Sequence, residues 1–372
     1  MTAPRVALVH DWLTGMRGGE RTLEAICDLY PSARRFALFH VEGSVSPAIV
    51  GPGISTSFLQ HFPGISRYYR ALLPLFPTAI EQFDLDDSEI VISTSHCAAK
   101  SVVAPGRARH LCYCFTPMRY AWDQFDAYFG PDRVGPGLSR VLRWELSRLA
   151  RWDARTATRA DRYVAISQYV AGRIHRYYNR SATVVYPPVD TSYLQPSGAD
   201  PEGYLLVVSA LVPYKRVDLA IAAAEAVKLP LRIIGSGPDL PRLRRAAGPD
   251  VQFLGSLPDA DVRAAYQGAT AVLLPGIEDF GIVPVEAQAC GRPVVALGEG
   301  GASETVLDGE TGALVEAASA ESLAEGIARV TRRRFDAAAL RRHAQRFSTE
   351  RFQEGLRREI AALMDQPAEA QA

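Results

Sequence analysis

Two successive series of short apolar runs alternate with helical stretches along the chain, and this alternation restricts the fold more than any other feature of the sequence. The first series opens with RVALVHDW, passes through the glycine loop TGMRGG into the helical stretch ERTLEAICDLY, and continues with RFALFHV, EIVISTSH, RHLCYCF and DRYVAIS. The second opens with YLLVVSALV and continues with LRIIGSG, VQFLGSL, TAVLLPG, PVVALG and GALVE, separated by helical segments such as RVDLAIAAAEAV. Strands that are apolar throughout, each followed by a helix, belong to parallel sheets buried on both faces. The expected class is therefore α/β, with two doubly wound, Rossmann-like domains facing across an interdomain cleft. Ligands bind such sheets at the carboxyl ends of the strands, so the polar residues just after each strand are the candidates.

At 372 residues the chain exceeds one ordinary core. The pattern breaks at VVYPPVDTSYLQPSG, which sets an N-terminal domain at 1–186, a linker at 187–200 and a C-terminal domain at 201–347. In the last helical stretch, STERFQEGLRREIAALM, Ser348 is placed as an N-cap and Phe347 with Phe352 as a hydrophobic staple. This helix, 348–364, is expected to rejoin the first domain, and the tail 365–372 to be disordered.

Lys+Arg and Asp+Glu are equal at 41, so no basic field points to nucleic acid. Five scattered cysteines, an odd number, read as a reduced, cytoplasmic protein without a disulfide framework. No signal peptide is expected at MTAPRVALVHDW, and no apolar run is long enough to span a bilayer.

Three stretches carry chemistry. Gly18 and Gly19 stand between a strand and a helix, where bare backbone and free N–H groups suit an anion, although paired glycines also make ordinary turns. Lys215 and Arg216 open a helix against its dipole, as a solvated start or as the partners of a diphosphate. In LPGIEDFGIVPVEAQACGRPVVA the N–H groups near Gly281 to Val283 suit a phosphate, and Glu278 and Glu286 flank them. Carboxylates beside a phosphate site suit vicinal sugar hydroxyls, of which a nucleotide sugar carries two sets around its diphosphate. His10–Asp11 and His96–Cys97 are adjacent pairs. Neighbours on a strand face opposite ways, which argues against a Cys–His dyad, and His10 and Asp11 suit a structural role at the strand end as well as a catalytic one.

EDFGIVPVEAQACGRPVVA followed by GGASETVLDGETGALV resembles the signature of the family 4 retaining glycosyltransferases, which have the GT-B fold. SALVPYKRVDLAI, IIGSGPDLPRL, VQFLGSLP, HDWL with RGGE, and CYCFTPMRYAWDQ resemble a branch that includes bacterial polysaccharide mannosyltransferases. The resemblance implies transfer of a hexosyl group with retention, mannose from GDP-mannose, onto a glycan or polyprenyl-linked saccharide in cell-surface polysaccharide synthesis. The nucleotide sugar is a substrate, and the resemblance implies neither a cofactor nor an obligatory metal. It makes Glu278, Lys215 and His96 the catalytic set. It gives the donor Gly18, Gly19, Lys215, Arg216, Gly235, Gly237, Leu254, Phe280, Gly281, Ile282, Val283 and Glu286, with Glu286 on the ribose and Leu254 on the base. It sets Arg119, Thr116, His10 and Asp11 on the acceptor side. Two positions depart from the pattern: Ala210 stands where the family usually has arginine, and Phe115 where the branch commonly has histidine. They leave open a UDP-sugar donor or a catalytically weak sugar-nucleotide binder.

Acceptors in this family are often lipid-linked, which implies a peripheral membrane contact. SRYYRALLPLFP, residues 66–77, and the stretch 139–159 suit it. In the latter Arg140, Arg148, Arg151, Arg155 and Arg159 fall within about 100° of one another on a helix, beside Trp144, with Leu138, Leu142, Leu146 and Leu149 opposite. The same pattern also fits an ordinary core helix with a solvated basic face.

Overall fold

The computed structural model describes residues 4–123 and 125–365; the expected tail lies outside them from 366 onward. The chain forms two compact units. Unit 1 runs to Pro188 and resumes at Phe352, and unit 2 is Val189–Arg351.

Unit 1 carries seven strands: β1 Val6–His10, β2 Arg34–Ala37, β3 Ile54–Thr56, β4 Ile90–Ser95, β5 Arg109–Cys114, β6 Arg162–Ala165 and β7 Ala182–Val184. They form one parallel sheet in the order β3-β2-β1-β4-β5-β6-β7. Every residue of β1 and β4 is buried, the polar Ser93, Thr94 and Ser95 included, as a strand covered on both faces requires. Trp12, Phe39, Tyr69, Phe76 and Leu149 fill the core on one face. The closing helix, Thr349–Met364, enters unit 1 at Phe352, whose ring meets Tyr113 edge-on at 5.4 Å. Glu359 then takes Arg162 at 2.6 Å and the Thr183 hydroxyl at 2.8 Å. The two phenylalanines placed as a staple go to different partners, since Phe347 stacks edge-on against Phe280 at 5.6 Å.

Unit 2 carries β8 Tyr204–Val208, β9 Leu231–Ile234, β10 Val251–Gly255, β11 Ala269–Leu274, β12 Val294–Leu297 and β13 Gly312–Val315. They form a second parallel sheet in the order β10-β9-β8-β11-β12-β13. Its core is Leu205, Val207, Ile221, Leu273, Val295 and Ile327. Residues 189–200 lie on this unit: Arg263 donates to the Tyr193 carbonyl, Arg341 to that of Leu194 and Arg292 to that of Ala199.

Both sheets share one winding. The first strand is central, the second and third lie to one side, and the fourth lies on the other. Strand order therefore reverses between β1 and β4 in unit 1 and between β8 and β11 in unit 2. Loops leaving two such strands part in opposite directions and open a crevice between them. Among the described residues no helix is long and apolar enough to cross a membrane.

Candidate active site

The loops after β8 and β11 bring two charges together. After β8 the chain makes one 3-10 turn, Pro213–Lys215, and Arg216 adopts the left-handed conformation at φ +52° before the helix Val217–Val227. After β11 it passes Glu278 and turns at Gly281 into the helix Ile282–Ala289. Lys215 Nζ donates to Glu278 Oε1, 63 residues away, and each side chain keeps 15% of its surface exposed. The Glu278 backbone is fixed separately. Gly301 N–H donates to its carbonyl at 2.8 Å, and a Cβ on Gly301 would fall 2.2 Å from Phe280 Cα. About one turn into the helix, Glu286 Oε2 accepts from the hydroxyl of the buried Tyr266 at 2.7 Å. Burial, with Glu286 beside it, holds that phenol well above its ordinary range. Burial also pushes the Cys290 thiol up to about 12, which leaves it inert as a nucleophile.

The loops after β1 and β4 meet in the same topological place. Asp11 is fully buried and uses both oxygens: Oδ2 accepts the N–H groups of His96 at 2.6 Å and Cys97 at 2.9 Å, and Oδ1 those of Ala98 at 2.5 Å and Ala99 at 2.7 Å. Oδ2 also lies 3.1 Å from His96 Nδ1. The His96 ring is 30% exposed and rests edge-on against buried Trp12, centroids 4.4 Å apart. His10 pairs with Thr94 (Nδ1 to Oγ1, 2.7 Å), and its Nε2 is buried without a hydrogen-bond partner. Burial foremost, with His96 adding to it, lowers the His10 pKa to about 3, so this ring is neutral. Gly18 and Gly19 open the helix Gly18–Leu29, and a Cβ on Gly19 would meet Phe115 at 3.6 Å and His10 at 3.8 Å, ordinary contacts. Glu20 accepts the Arg17 N–H at 3.1 Å, and burial raises its pKa.

Residues 192–347 match the family described as Glycosyl transferases group 1. The match lies within unit 2 and likens that unit to the group 1 glycosyl transferases. The chain is 30% identical over 241 residues to the GDP-mannose-dependent alpha-(1-6)-phosphatidylinositol monomannoside mannosyltransferase of Mycolicibacterium smegmatis, which covers 54% of this chain and 63% of that protein. It is 34% identical over 239 residues to the D-inositol 3-phosphate glycosyltransferase of Rhodococcus erythropolis, covering 55% of this chain and 54% of that one. The chain thus spans a little over half the length of these relatives. Among solved structures, Anabaena HepE in complex with UDP and glucose matches with a TM-score of 0.70 at 17% identity, over 97% of this chain and all of that one. The lipopolysaccharide outer core galactosyltransferase WaaB matches with a TM-score of 0.66 at 16% identity, over 96% and 99%. At such identities these structures speak for the fold alone, which is GT-B.

Several of the expected site residues have other work in the structure. Asp11 has every oxygen engaged below the surface, so it does not touch an acceptor. His10 is closed off with it. Thr116 is buried and accepts from Arg173 Nη1 at 2.6 Å. Gly235 and Gly237 press against backbone: a Cβ would lie 1.9 Å from the Ser209 carbonyl oxygen and 2.2 Å from that of Leu211. Arg216 turns to Asp218, 3.4 Å away, and Ala210 is exposed. The Phe280 ring is core, while Ile282 and Val283 open their helix half-buried. Leu254 is exposed at the end of β10. Arg119 starts the short helix Arg119–Trp122, near enough to His96 to bear on its charge. His96 and Cys97 lie past β4, so strand alternation does not govern them; Cys97 is buried and its thiol raised well above its ordinary range. Sequence reasoning missed Tyr266, Trp12 and the Gly300–Gly301 support. Of these only the glycines carried a signal, in GGASE.

The basic helix also differs from its wheel. Helix Pro136–Arg155 ends before Arg159, which instead binds Glu81 at 2.7 Å. Leu146 and Leu149 are buried, but Leu138 is exposed along with Val141 and Trp144.

Proposed function

We propose that this chain is a retaining glycosyltransferase that moves mannose from GDP-mannose onto a glycan or lipid-linked saccharide. The observation that carries the reading is the Lys215–Glu278 pair at the switch point of unit 2, beside a helix start that Gly281 opens. In this reading Lys215 meets the charge that grows on the leaving diphosphate, and the N–H groups of Ile282 and Val283 share it. Glu278 takes hydroxyls of the transferred hexose, and Glu286, steadied by Tyr266, takes those of the ribose. The pair is internally neutral, so neither half-buried charge stands alone. The GDP-mannose named for the mycobacterial relative supports this donor. The UDP in the HepE complex supports a UDP-sugar instead.

Thermal unfolding with a panel of nucleotide sugars separates the two. A bound donor at a hundred times its dissociation constant adds about 2.7 kcal/mol, and GDP-mannose is expected to lead. If no nucleotide or nucleotide sugar stabilises the protein, the reading fails. Lys215→Ala is expected to slow transfer by about 10²–10³-fold. Glu286→Ala is expected to weaken nucleotide binding and spare turnover at saturation.

A second reading, a nucleotide-sugar binder with little turnover, draws on the exposed Ala210 and on Arg216 being taken by Asp218. Tight binding without product on any acceptor would favour it. For a lipid-linked acceptor, the exposed Leu138, Val141 and Trp144 among Arg140, Arg148, Arg151 and Arg155 support docking on an anionic membrane surface. The exposed Arg67, Tyr68, Arg70 and Leu75 adjoin them, since helix 136–155 packs on the turn Tyr69–Leu75.

A further inference from the structure

A group of arginines gathers at the end of the second sheet opposite the Lys215–Glu278 pair. That pair follows the carboxyl ends of β8 and β11, whereas a cavity of about 570 Å³ opens beside Thr270, the second residue of β11, and Pro293, which leads into β12. Its lining includes the apolar Pro196, Val330 and Phe335, the four arginines Arg292, Arg332, Arg333 and Arg334, and two carboxylates, Asp200 and Asp336. Asp336 is committed elsewhere: it caps the helix Ala337–Ala344 by accepting the Ala338 N–H at 2.9 Å, and it lies 3.6 Å from Arg342. Arg292 is half-buried and donates to carbonyls, Nε to Gln267 and Nη2 to Ala199, both at 2.8 Å. Arg333 donates to the Gly309 carbonyl. The exposed side chains of Arg332 and Arg334 have no hydrogen-bond or ion-pair partner among the described residues. The dipole of helix Ala320–Thr331 does not account for these charges, because Arg329 already stands in its last turn, held by Asp308 at 2.7 Å. Three more arginines in succession repel one another and have no carboxylate to set against the repulsion.

We propose that this cavity binds a sugar phosphate, with Arg332 and Arg334 on the phosphate ester and Asp200, Ser197 and Thr270 on the sugar hydroxyls. The guanidinium fork matches phosphate oxygens two at a time, and an arginine without a partner loses nothing by turning to them. The cavity is too large for inorganic phosphate alone and falls within the roughly 300–1,000 Å³ of small-molecule sites. A nucleotide fits its walls less well. Phe335 is the one aromatic ring among the lining residues, and the Arg333 guanidinium already lies over it at 5.4 Å, where a base would stack. Burial foremost lowers the Arg292 pKa, against the pull of Tyr204 and Asp200, so an anion drawn into the cavity also relieves that charge. All the lining residues belong to unit 2, at the strand ends away from Lys215 and Glu278, so the site stands whether or not the donor reading does.

Isothermal titration of the full chain with glucose 6-phosphate tests this, run on the wild type, on Lys215→Ala and on the double variant Arg332→Ala/Arg334→Ala. Both arginines are exposed, so their removal opens no core. The wild type and Lys215→Ala are expected to bind alike, and the double variant to lose roughly tenfold for each charge-assisted contact removed. Amide signals of Thr270, Gly291 and Arg332 are expected to shift on binding, while those of Ile282 and Val283 stay in place. Glucose and inorganic phosphate are each expected to bind more weakly than the ester that joins them. Wild-type affinity for the ester no tighter than about 1 mM overturns the proposal, as does equal affinity in the wild type and the double variant. Affinity lost in Lys215→Ala and kept in the double variant moves the ligand to the opposite strand ends, which also overturns it. Inorganic phosphate binding as well as the ester reduces the arginines to a surface that attracts any anion. GMP binding more tightly than the ester, and losing that affinity in the double variant, makes the cavity a nucleotide site and overturns the sugar assignment. A wild type that binds glucose 6-phosphate in this way but no nucleotide sugar removes the donor reading and leaves this one standing.

Discussion

The two units wind their strands alike and yet treat charge in opposite ways. In unit 1 the polar groups turn inward: Asp11 is solvated by four backbone N–H groups, His10 is neutral, and Lys100 pairs with Asp153 at 3.0 Å with both side chains buried. In unit 2 Lys215, Glu278 and Arg216 stand partly exposed in the loops after the strands, with Glu286 partly exposed on the helix that follows, and glycine backbone presses close beneath the Glu278 loop. One sheet geometry thus supports two kinds of preorganisation. Buried charge is rigid because moving it is costly, whereas exposed charge must be held by the shape of the backbone beneath it.

The sharpest way to break this contrast is Lys100→Met. It strands the Asp153 carboxylate, which otherwise also accepts from Trp122 Nε1 at 2.8 Å and the Tyr178 hydroxyl at 2.9 Å. Unit 1 is expected to lose about 3–5 kcal/mol in denaturant unfolding, and a loss below 1 kcal/mol would show that burial there carries little stability. Next comes a pair of glycines. Gly301→Ala forces a Cβ into Phe280 and is expected to cost unit 2 roughly 1–3 kcal/mol, about 2–4 °C of midpoint per kcal/mol. Gly19→Ala meets only ordinary contacts and should leave the midpoint of unit 1 unchanged or slightly raised; an equal loss at both sites would erase the distinction.

The last probe of the contrast is pH. In the folded chain burial lowers His10 to about 3 and His110 to about 4, against an unfolded value near 6.5. The unfolded chain therefore binds more protons between those limits, and stability falls as pH drops from about 6.5 toward 4. The expected slope is about 1.4 kcal/mol per pH unit for each buried ring. Unit 1 should melt first in acid, because unit 2 has a single histidine, the buried His343, to set against them. Coincident melting of both units at every pH would contradict this.

How much of this was legible depends on how far apart the partners lie. The strands were readable because each is a short apolar run, and the Glu278 loop because strand end, turn and helix start fall within one stretch of sequence. Asp11 and His96 lie 85 residues apart and join only through the β1–β4 register, so the adjacent His10 and Asp11 looked like a pair although they face different partners. Gly235 and Gly237, expected at the donor, press against the Ser209 and Leu211 carbonyls, and a glycine in the sequence does not say whether ligand or backbone approaches it. The helical wheel over 139–159 failed at its ends, since a wheel has no means of marking where a helix stops.

Unit 2 is inserted in unit 1, between Pro188 and Phe352, and this fixes an order of events during synthesis. When the ribosome has finished β7, the first sheet is complete in its strands, yet Tyr113 and Val185 still lack the helix that covers them. A further 163 residues must emerge, and unit 2 can close on itself, before Phe352 arrives to seal the unit that began first. A chain cut short after Arg351 therefore holds every residue of the younger unit and lacks the helix that closes the older one.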